Sequence, residues 1–295
     1  MPVSRVISEA STLERVDTSA AQSGRTAALD GRSVRRHALG VTDRSAISNE
    51  QWERMAPLVA SLHRRGTRGR SDRRFVEAVV WLLRTGSPWR DLPASFGRWG
   101  SVYQRFRRWA AAGRWEALRQ ALGADRAVDE LLLIDSTIVK AHPHAAGARS
   151  GQSSEALGRS RGGFTTKVHA VVSSGGRLVR FVLTGGQVND VTQATRLVPG
   201  LQGRAVVGDR AYDSDEFLAC IREQGMAAVI PSLANRKIQR ALEARMYALR
   251  NVIERFFGRL KAFRRVATRY DKTAASYAAA LALADSMIVL SGWAA

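Results

Sequence analysis

Two apolar runs that each stop on a single aspartate constrain the fold of this chain more than any other feature. Leu131-Leu-Leu-Ile134 ends on Asp135, and Ala205-Val-Val-Gly208 ends on Asp209. Each run reads as a short buried strand with a carboxylate at its C-terminal end. A buried acid is costly unless it is paired or holds a metal, so two strand-end aspartates imply a shared electrostatic purpose.

A third acid comes from a helix. In Tyr247-Ala-Leu-Arg250-Asn-Val-Ile-Glu254-Arg-Phe-Phe-Gly-Arg-Leu-Lys261, the polar anchors Tyr247, Arg250, Glu254 and Lys261 fall within roughly 60° of one helix face at about 100° per residue. Leu249, Val252, Ile253, Phe256, Phe257 and Leu260 fill the neighbouring arc, which gives the helix one side to bury. A solvated polar face, or an i,i+4 ion pair between Arg250 and Glu254, has the same spacing. Asp135, Asp209 and Glu254 together form a hard oxygen donor set able to hold two Mg²⁺ ions for phosphoryl transfer.

Charge is concentrated in two blocks. The formal net charge is +20, and residues 46–120 and 231–272 contribute +9 each. Two basic blocks, one of them containing the candidate helix, point to a polyphosphate partner. The abundance of arginine, 41 residues against five lysines, is also what GC-rich coding produces. There is no apolar run of about 18 residues and no signal-peptide pattern, so no membrane partner is expected and the expected location is cytoplasmic and nucleoid-associated. The single cysteine, Cys220, excludes an intrachain disulfide and a cysteine-based zinc site.

The front of the chain reads as a small helical domain with helix-turn-helix proportions. Ser48 and Gln51 form a capping box, Pro57 is expected to kink or divide the helix that follows, Ser71 is placed to cap a second helix, and Ser101 and Gln104 suggest another capping box. Six tryptophans in this region read as core. Arg105, Arg107 and Arg108 on the third helix are the candidates for reading DNA, with a solvated arginine face as the alternative.

From Leu131 onward the pattern changes to strands near 131–136, 164–173, 177–184, 204–209 and 226–231, with a hairpin turn at Gly175-Gly176. Helices follow at about 214–224, 240–262 and 273–290. Asp213 is expected to cap the helix after it and Asp190 to sit in a turn. His142, His144 and His169 read as structural or solvent-facing residues.

Several separate motifs resemble the DDE transposases of the bacterial IS5 insertion-sequence family. The helix matches that family's Y-(2)-R-(3)-E-(6)-K signature at all four positions. The stretches Gly86-Ser-Pro-Trp-Arg-Asp-Leu-Pro93, Gly158-Arg-Ser-Arg161-Gly-Gly-Phe-Thr-Thr-Lys167-Val-His169, Arg180-Phe-Val-Leu-Thr184-Gly-Gly-Gln187 and Phe263-Arg-Arg-Val-Ala-Thr-Arg-Tyr-Asp-Lys272 are similar too, in the family's order. The likeness runs from about Ile47 to Leu290. Ser87 replaces an expected cysteine, and Gly208 and Arg210 stand where alanine and lysine are commoner. Residues 1–45 read as a disordered leader, and translation is expected to begin near Val41.

The resemblance implies an α/β (α+β) fold: an RNase H-like catalytic domain with a mixed sheet over residues 130–292, preceded by the helical DNA-binding domain at 46–122. It implies Asp135, Asp209 and Glu254 as catalytic metal ligands, two Mg²⁺ ions with Mn²⁺ as a substitute, and Tyr247, Arg250 and Lys261 as contacts to the transposon end. Implied partners are double-stranded DNA, as transposon ends and as target, and a second copy of the chain. The Gly/Ser/Arg-rich stretch from Ala145 to Gly163 leaves the sheet beside the proposed metals. It reads either as a linker or as a loop that orders over DNA through Arg149, Arg159 and Arg161. An inactive or domesticated DNA-binding protein and an RNase H-like nuclease are the alternative functions.

Overall fold

Ser48 opens the first helix as its sequence dictates. Its hydroxyl accepts from the Gln51 N–H at 3.1 Å, and Gln51 Oε1 accepts from the Ser48 N–H at 3.1 Å, the reciprocal capping box. The computed structural model describes residues 47–63, 71–124, 131–160 and 162–292, which fall in one compact unit. The leader at 1–45, the expected start near Val41, the basic turn at 64–70 and Arg161 lie outside the described residues.

Helix α1, Asn49–Ser61, continues through Pro57 and is not divided there. Pro57 and Glu53 are both exposed, so water can take the Glu53 carbonyl that proline leaves unpaired. Helix α2, Asp72–Thr85, follows Ser71, whose side chain makes no capping bond, and stops at Gly86 with φ +73°. Helix α3, Trp99–Ala111, starts two residues before the expected capping box at Ser101. Extended Arg98 supplies the first helical carbonyl, to the N–H groups of Ser101 and Val102. Helix α4, Arg114–Gly123, follows a two-residue turn through Gly113 (φ +65°). Between α2 and α3 the chain takes thirteen residues and two 3₁₀ turns, so that pair does not have the short turn of a helix-turn-helix.

The sheet is mixed. Its strands among the described residues are β1 (Leu132–Ala141), β2 (Gly158–Ser160), β3 (Gly163–Ser173), β4 (Leu178–Gly185), β5 (Ala205–Val207), β6 (Ala227–Val229) and β7 (Thr268–Arg269). β1 is central. It pairs antiparallel with β3, which pairs antiparallel with β4, and on its other edge it pairs parallel with β5, which pairs parallel with β6. Three antiparallel strands followed by two parallel ones, in the spatial order β4-β3-β1-β5-β6, is the RNase H-like arrangement. β2 adds to the far end of β3, and β7 pairs with β1 at Lys140 and Ala141.

Alternation along β1 divides the interior in two. Leu132 and Ile134 face a cluster with Leu197, Phe217 and Ile221, supplied by α5 (Val191–Leu197) and α6 (Asp215–Glu223). Leu131, Leu133 and Val139 face the larger cluster, which includes α8 (Asn251–Lys261), the short α9 (Arg264–Ala267) and α10 (Ala274–Leu290). α10 is apolar all round and buried along nearly its whole length, as a helix packed on every side must be. It rests on the sheet side and on α4, so α1 to α4 and the sheet share one apolar cluster. An ion pair crosses this junction, with Arg119 of α4 lying 3.6 Å from Asp285 of α10. Burial lifts the Asp285 carboxyl to about 7 against the pull of Arg119.

The expected strands and the helices near 214–224 and 273–290 are present. β1 runs five residues past its expected end, because Thr137 to Lys140 keep pairing with Thr165 to Val168 of β3. The helix expected over 240–262 is two, α7 (Ala244–Ala248) and α8, joined at Leu249 and Arg250 by a tighter winding. There the N–H groups of Leu249, Arg250 and Val252 each bond three residues back, the 3₁₀ pattern.

Candidate active site

β1 outruns β5. Its edge is therefore open beyond Leu133, between the last β5 pairing and the β7 pairing at Lys140. This is the point where the sheet switches from antiparallel to parallel neighbours, and a crevice at the carboxyl ends of such strands is where α/β sheets receive ligands. Asp135 leaves β1 there, and Asp209 stands two residues past the end of β5. Each carboxylate is steadied by its own backbone: the Ser136 N–H donates to Asp135 Oδ1 at 2.7 Å, and the Ala211 N–H to Asp209 Oδ1 at 2.8 Å.

The guanidinium of Arg250 stands among the three acids. Its Nη2 donates to Asp135 Oδ2 at 2.9 Å and lies 4.0 Å from Asp209 Oδ2, while its Nη1 donates to Glu254. Exposure rises across the set, from 17% for the Asp135 side chain through 38% for Asp209 to 55% for Glu254, so the cluster opens toward Glu254. Burial pushes the Asp135 carboxyl above its ordinary value; the Ser136 N–H and Arg250 oppose this, and Asp209 and Asp190 add to it. On Arg250 burial acts downward, but Asp135, Glu254 and Asp209 outweigh it and hold the guanidinium above its usual value.

Among the described residues, no group of three or more histidines, cysteines or acids is close enough to hold a metal as it stands. What Asp135, Asp209 and Glu254 share is a cation, with Arg250 between them. Three carboxylates converging on one positive charge are the hard-oxygen donor set that Mg²⁺ prefers. The donor chemistry of these residues fits a divalent ion, and Arg250 takes the place among them in this structure.

Lys261 and Tyr247 lie on the same pair of helices as Glu254, with Arg250 at the junction of the two. Lys261 reaches the open β1 edge, its Nζ donating to the Ile138 carbonyl at 3.3 Å, and burial lowers its pKa. Tyr247 sits on α7, before the tight winding, with its ring against the larger apolar cluster. On α3, Arg107 and Arg108 are exposed. Arg105 is instead turned inward: it pairs with Asp72 and lies over the Phe75 ring at 4.1 Å, so its guanidinium is engaged in the helical core. Arg98, Trp99, Tyr103, Gln104 and Arg108 line an open groove on the same helix. Trp99 is exposed, unlike the buried Trp109 and Trp115.

Two acids do more than their sequence context suggests. Asp190 caps no backbone group of α5. Its Oδ1 accepts from Ser136 Oγ at 2.8 Å and Lys167 Nζ at 2.9 Å and lies 3.4 Å from His169 Nδ1, directly behind Asp135. Burial lowers the His169 pKa to about 4, keeping the ring neutral. The signal that could have found Asp190 is Thr184-Gly-Gly-Gln187: a Cβ on Gly186 would lie 2.0 Å from Thr165 Oγ1, so only glycine lets this turn close onto β3. Asp213 does not cap α6, where Ser214 takes that part by accepting from the Phe217 N–H. It binds the 231–243 loop instead, accepting from the Leu233 N–H at 2.6 Å, Arg236 Nε at 2.7 Å and Arg240 Nη2 at 2.5 Å.

The stretch after β1 is partly anchored. Ala156 and Leu157 are buried, the Ala156 carbonyl accepts from Thr166 and Arg269, and Glu155 accepts from the Ala274 N–H at the start of α10. Arg149 and Arg159 are exposed. His142 stacks on Tyr270 at 4.9 Å. No helix among the described residues is long and apolar enough to cross a membrane.

Strand order and the strand-end acids together define an RNase H-like fold with an acidic crevice at its switch point. The chain belongs to the transposase DDE domain family, whose model matches residues 126–287, and a model described as a putative transposase of the IS4/5 family matches residues 47–119. A putative transposase for insertion sequence element IS6501 from Brucella ovis is 39% identical over 128 residues, which cover 43% of this chain and 98% of that protein. An uncharacterized protein, y4sN, from Sinorhizobium fredii is 38% identical over 112 residues, covering 36% of this chain and 86% of that protein. Among solved structures, a piggyBac transposase synaptic complex with hairpin DNA aligns at TM-score 0.37 and 12% identity, over 68% of this chain and 53% of that one. At that score it carries no weight beside the strand order.

Proposed function

We propose that this transposase cleaves insertion-sequence ends and joins their 3′-OH groups to target DNA, with Asp135, Asp209 and Glu254 as the catalytic metal ligands. The convergence of those three side chains on one cation, at the switch point between β1 and β5, carries the reading. Two Mg²⁺ ions held there, or Mn²⁺ in their place, would activate the attacking water or 3′-OH and stabilise the leaving oxygen. The protein's own part is to position. Asp135, on the central strand with its carboxylate fixed by the Ser136 N–H, has the most rigid mounting, and Glu254, the most exposed of the three, stands on the substrate side. Arg250 offers a bidentate fork to a phosphate and Lys261 a point charge on the open edge of β1.

The helical part, residues 46–122, is proposed as the duplex-binding region. Arg107 and Arg108, beside the groove lined by Trp99 and Tyr103, supply phosphate and base contacts. Arg149 and Arg159, exposed on the stretch that follows β1, are proposed to track the DNA backbone, and Arg161 is proposed to do so from its place in the sequence. Two ends must be held together, so the working species is a dimer or a larger assembly, acting at the nucleoid. Pre-cleaved transposon ends supplied with Mg²⁺ and plasmid test the reaction. Joined products are expected from the wild type, with bound but unreacted DNA from Asp135→Asn. Cuts without joining would mark a nuclease, and shifted but unreacted DNA from the wild type would mark a DNA-binding protein without catalysis.

A further inference from the structure

Arg250 is in the wrong place to be only a DNA contact. A side chain that serves solely to clamp a substrate phosphate should wait in solvent, yet this one lies with its side chain 22% exposed and both terminal nitrogens directed at the acids. Its Nε is buried without a hydrogen-bond partner. The fork thus gives up one of its donors to stay among the carboxylates. The reason is electrostatic. Three carboxylates brought together at the end of a buried strand repel one another, and one guanidinium that touches two of them and stands 4.0 Å from the third offsets that repulsion.

We propose that Arg250 is a built-in stand-in for the metal: in the free protein it holds Asp135, Asp209 and Glu254 together, and metal loading displaces it into the crevice as a phosphate clamp. The proposal rests on reading the three acids as metal ligands. The local chain suits a side chain with two positions. Arg250 lies at the tight winding between α7 and α8, outside either helix. Its partner Glu254 is the most exposed of the acids, so the guanidinium can leave past Glu254 without opening the core. The exchange also couples two events. Metal cannot settle among the acids until the fork goes, and the fork leaves most readily when a phosphate is there to receive it, so DNA and metal favour each other's binding. A free transposase loaded this reluctantly is guarded against cutting DNA before an end is seated.

The test is Mn²⁺ binding without DNA, followed by electron paramagnetic resonance, on the full chain in wild-type, Arg250→Gln, Asp135→Asn and doubly substituted forms. The expected result is that R250Q binds Mn²⁺ at least about tenfold more tightly than wild type, a gain that damage to the site cannot produce. Without metal R250Q is also expected to melt lower, and added Mn²⁺ to raise its melting temperature more than that of the wild type. In the wild type, the Arg250 Nε–H resonance, assigned by its loss in Arg250→Lys, should move on addition of Mg²⁺; this readout stands even where R250Q folds poorly. Equal or weaker binding by R250Q, with Asp135→Asn still abolishing binding, would overturn the stand-in role and leave the metal site intact. Binding indifferent to Asp135 in every form would overturn both.

Discussion

Asp213→Asn should unlatch the 231–243 loop, which joins β6 to the Arg250 helices. The Asp213 side chain is fully buried, and its two oxygens take Arg236, Arg240 and the Leu233 N–H. Removing one partner of a buried ion pair costs about 3–5 kcal/mol, the remaining charges being left uncompensated. Arg236 and Arg240 keep 22% and 29% of their side chains exposed and can rehydrate, so the lower end, about 3 kcal/mol, applies. At about 1.4 kcal/mol per tenfold, the open form of the loop becomes roughly two orders of magnitude more populated. Trypsin reads this directly, since Arg236, Lys237 and Arg240 are its sites and cleavage of a transiently open segment follows the open population. Native-state digestion with mass spectrometry should show about a hundredfold faster cutting at 236–240, with a smaller loss in global melting temperature. A rate within about threefold of wild type would refute the latch. The wild-type latch should also resist acid. Burial raises the Asp213 pKa, but the hydrogen bonds from Arg236, the Leu233 N–H and Arg240 outweigh it and hold the carboxyl below its ordinary value. Its contribution is present above the unfolded pKa and is lost only as pH falls through the depressed one.

Other outcomes follow from the same contacts. Asp285 has a folded pKa of about 7 against an ordinary 3.8, so the folded state holds its proton more tightly and wild type loses stability from this group as pH rises across that window. Asp285→Asn should lack that loss, and melting temperatures of both proteins between pH 4 and 8 check it; a difference that does not change with pH would contradict it. Arg105→Ala should destabilise by on the order of 1–2 kcal/mol through lost stacking and pairing. Arg107→Ala and Arg108→Ala should leave the melting temperature unchanged and each reduce the salt dependence of DNA binding by about one unit of slope. Gly186→Ala, which sets a Cβ 2.0 Å from the Thr165 hydroxyl and 2.9 Å from its Cβ, should cost about 1–3 kcal/mol by overpacking, measured by denaturant melts.

Elements whose signal is local were legible in the sequence. The apolar runs before Asp135 and Asp209 became parallel neighbours in the sheet, Gly175-Gly176 turns between β3 and β4 with φ +78° at Gly176, and α10 starts at Thr273, whose side chain accepts from the Ser276 N–H. Legibility failed where a side chain chooses a partner far along the chain. Arg105 is on a face that looks free for DNA until Asp72, 33 residues earlier, arrives beside it. Asp190 looks like a turn residue until β1 brings Ser136 across a gap of 54 positions. At the site, periodicity placed Arg250 and Glu254 on one face but could not place Asp135, 115 residues away, against the same guanidinium. The tight winding at Leu249 and Arg250 was equally hidden, since both residues suit an ordinary helix.

Anomalous diffraction from crystals of the protein with duplex DNA and Mn²⁺ would locate any metal held by the three acids. A pair of Mn²⁺ peaks is expected with oxygens of Asp135, Asp209 and Glu254 at about 2 Å, and with the Arg250 guanidinium withdrawn from between them. Mn²⁺ found elsewhere, with the three acids still gathered on Arg250 in the presence of DNA, would contradict it.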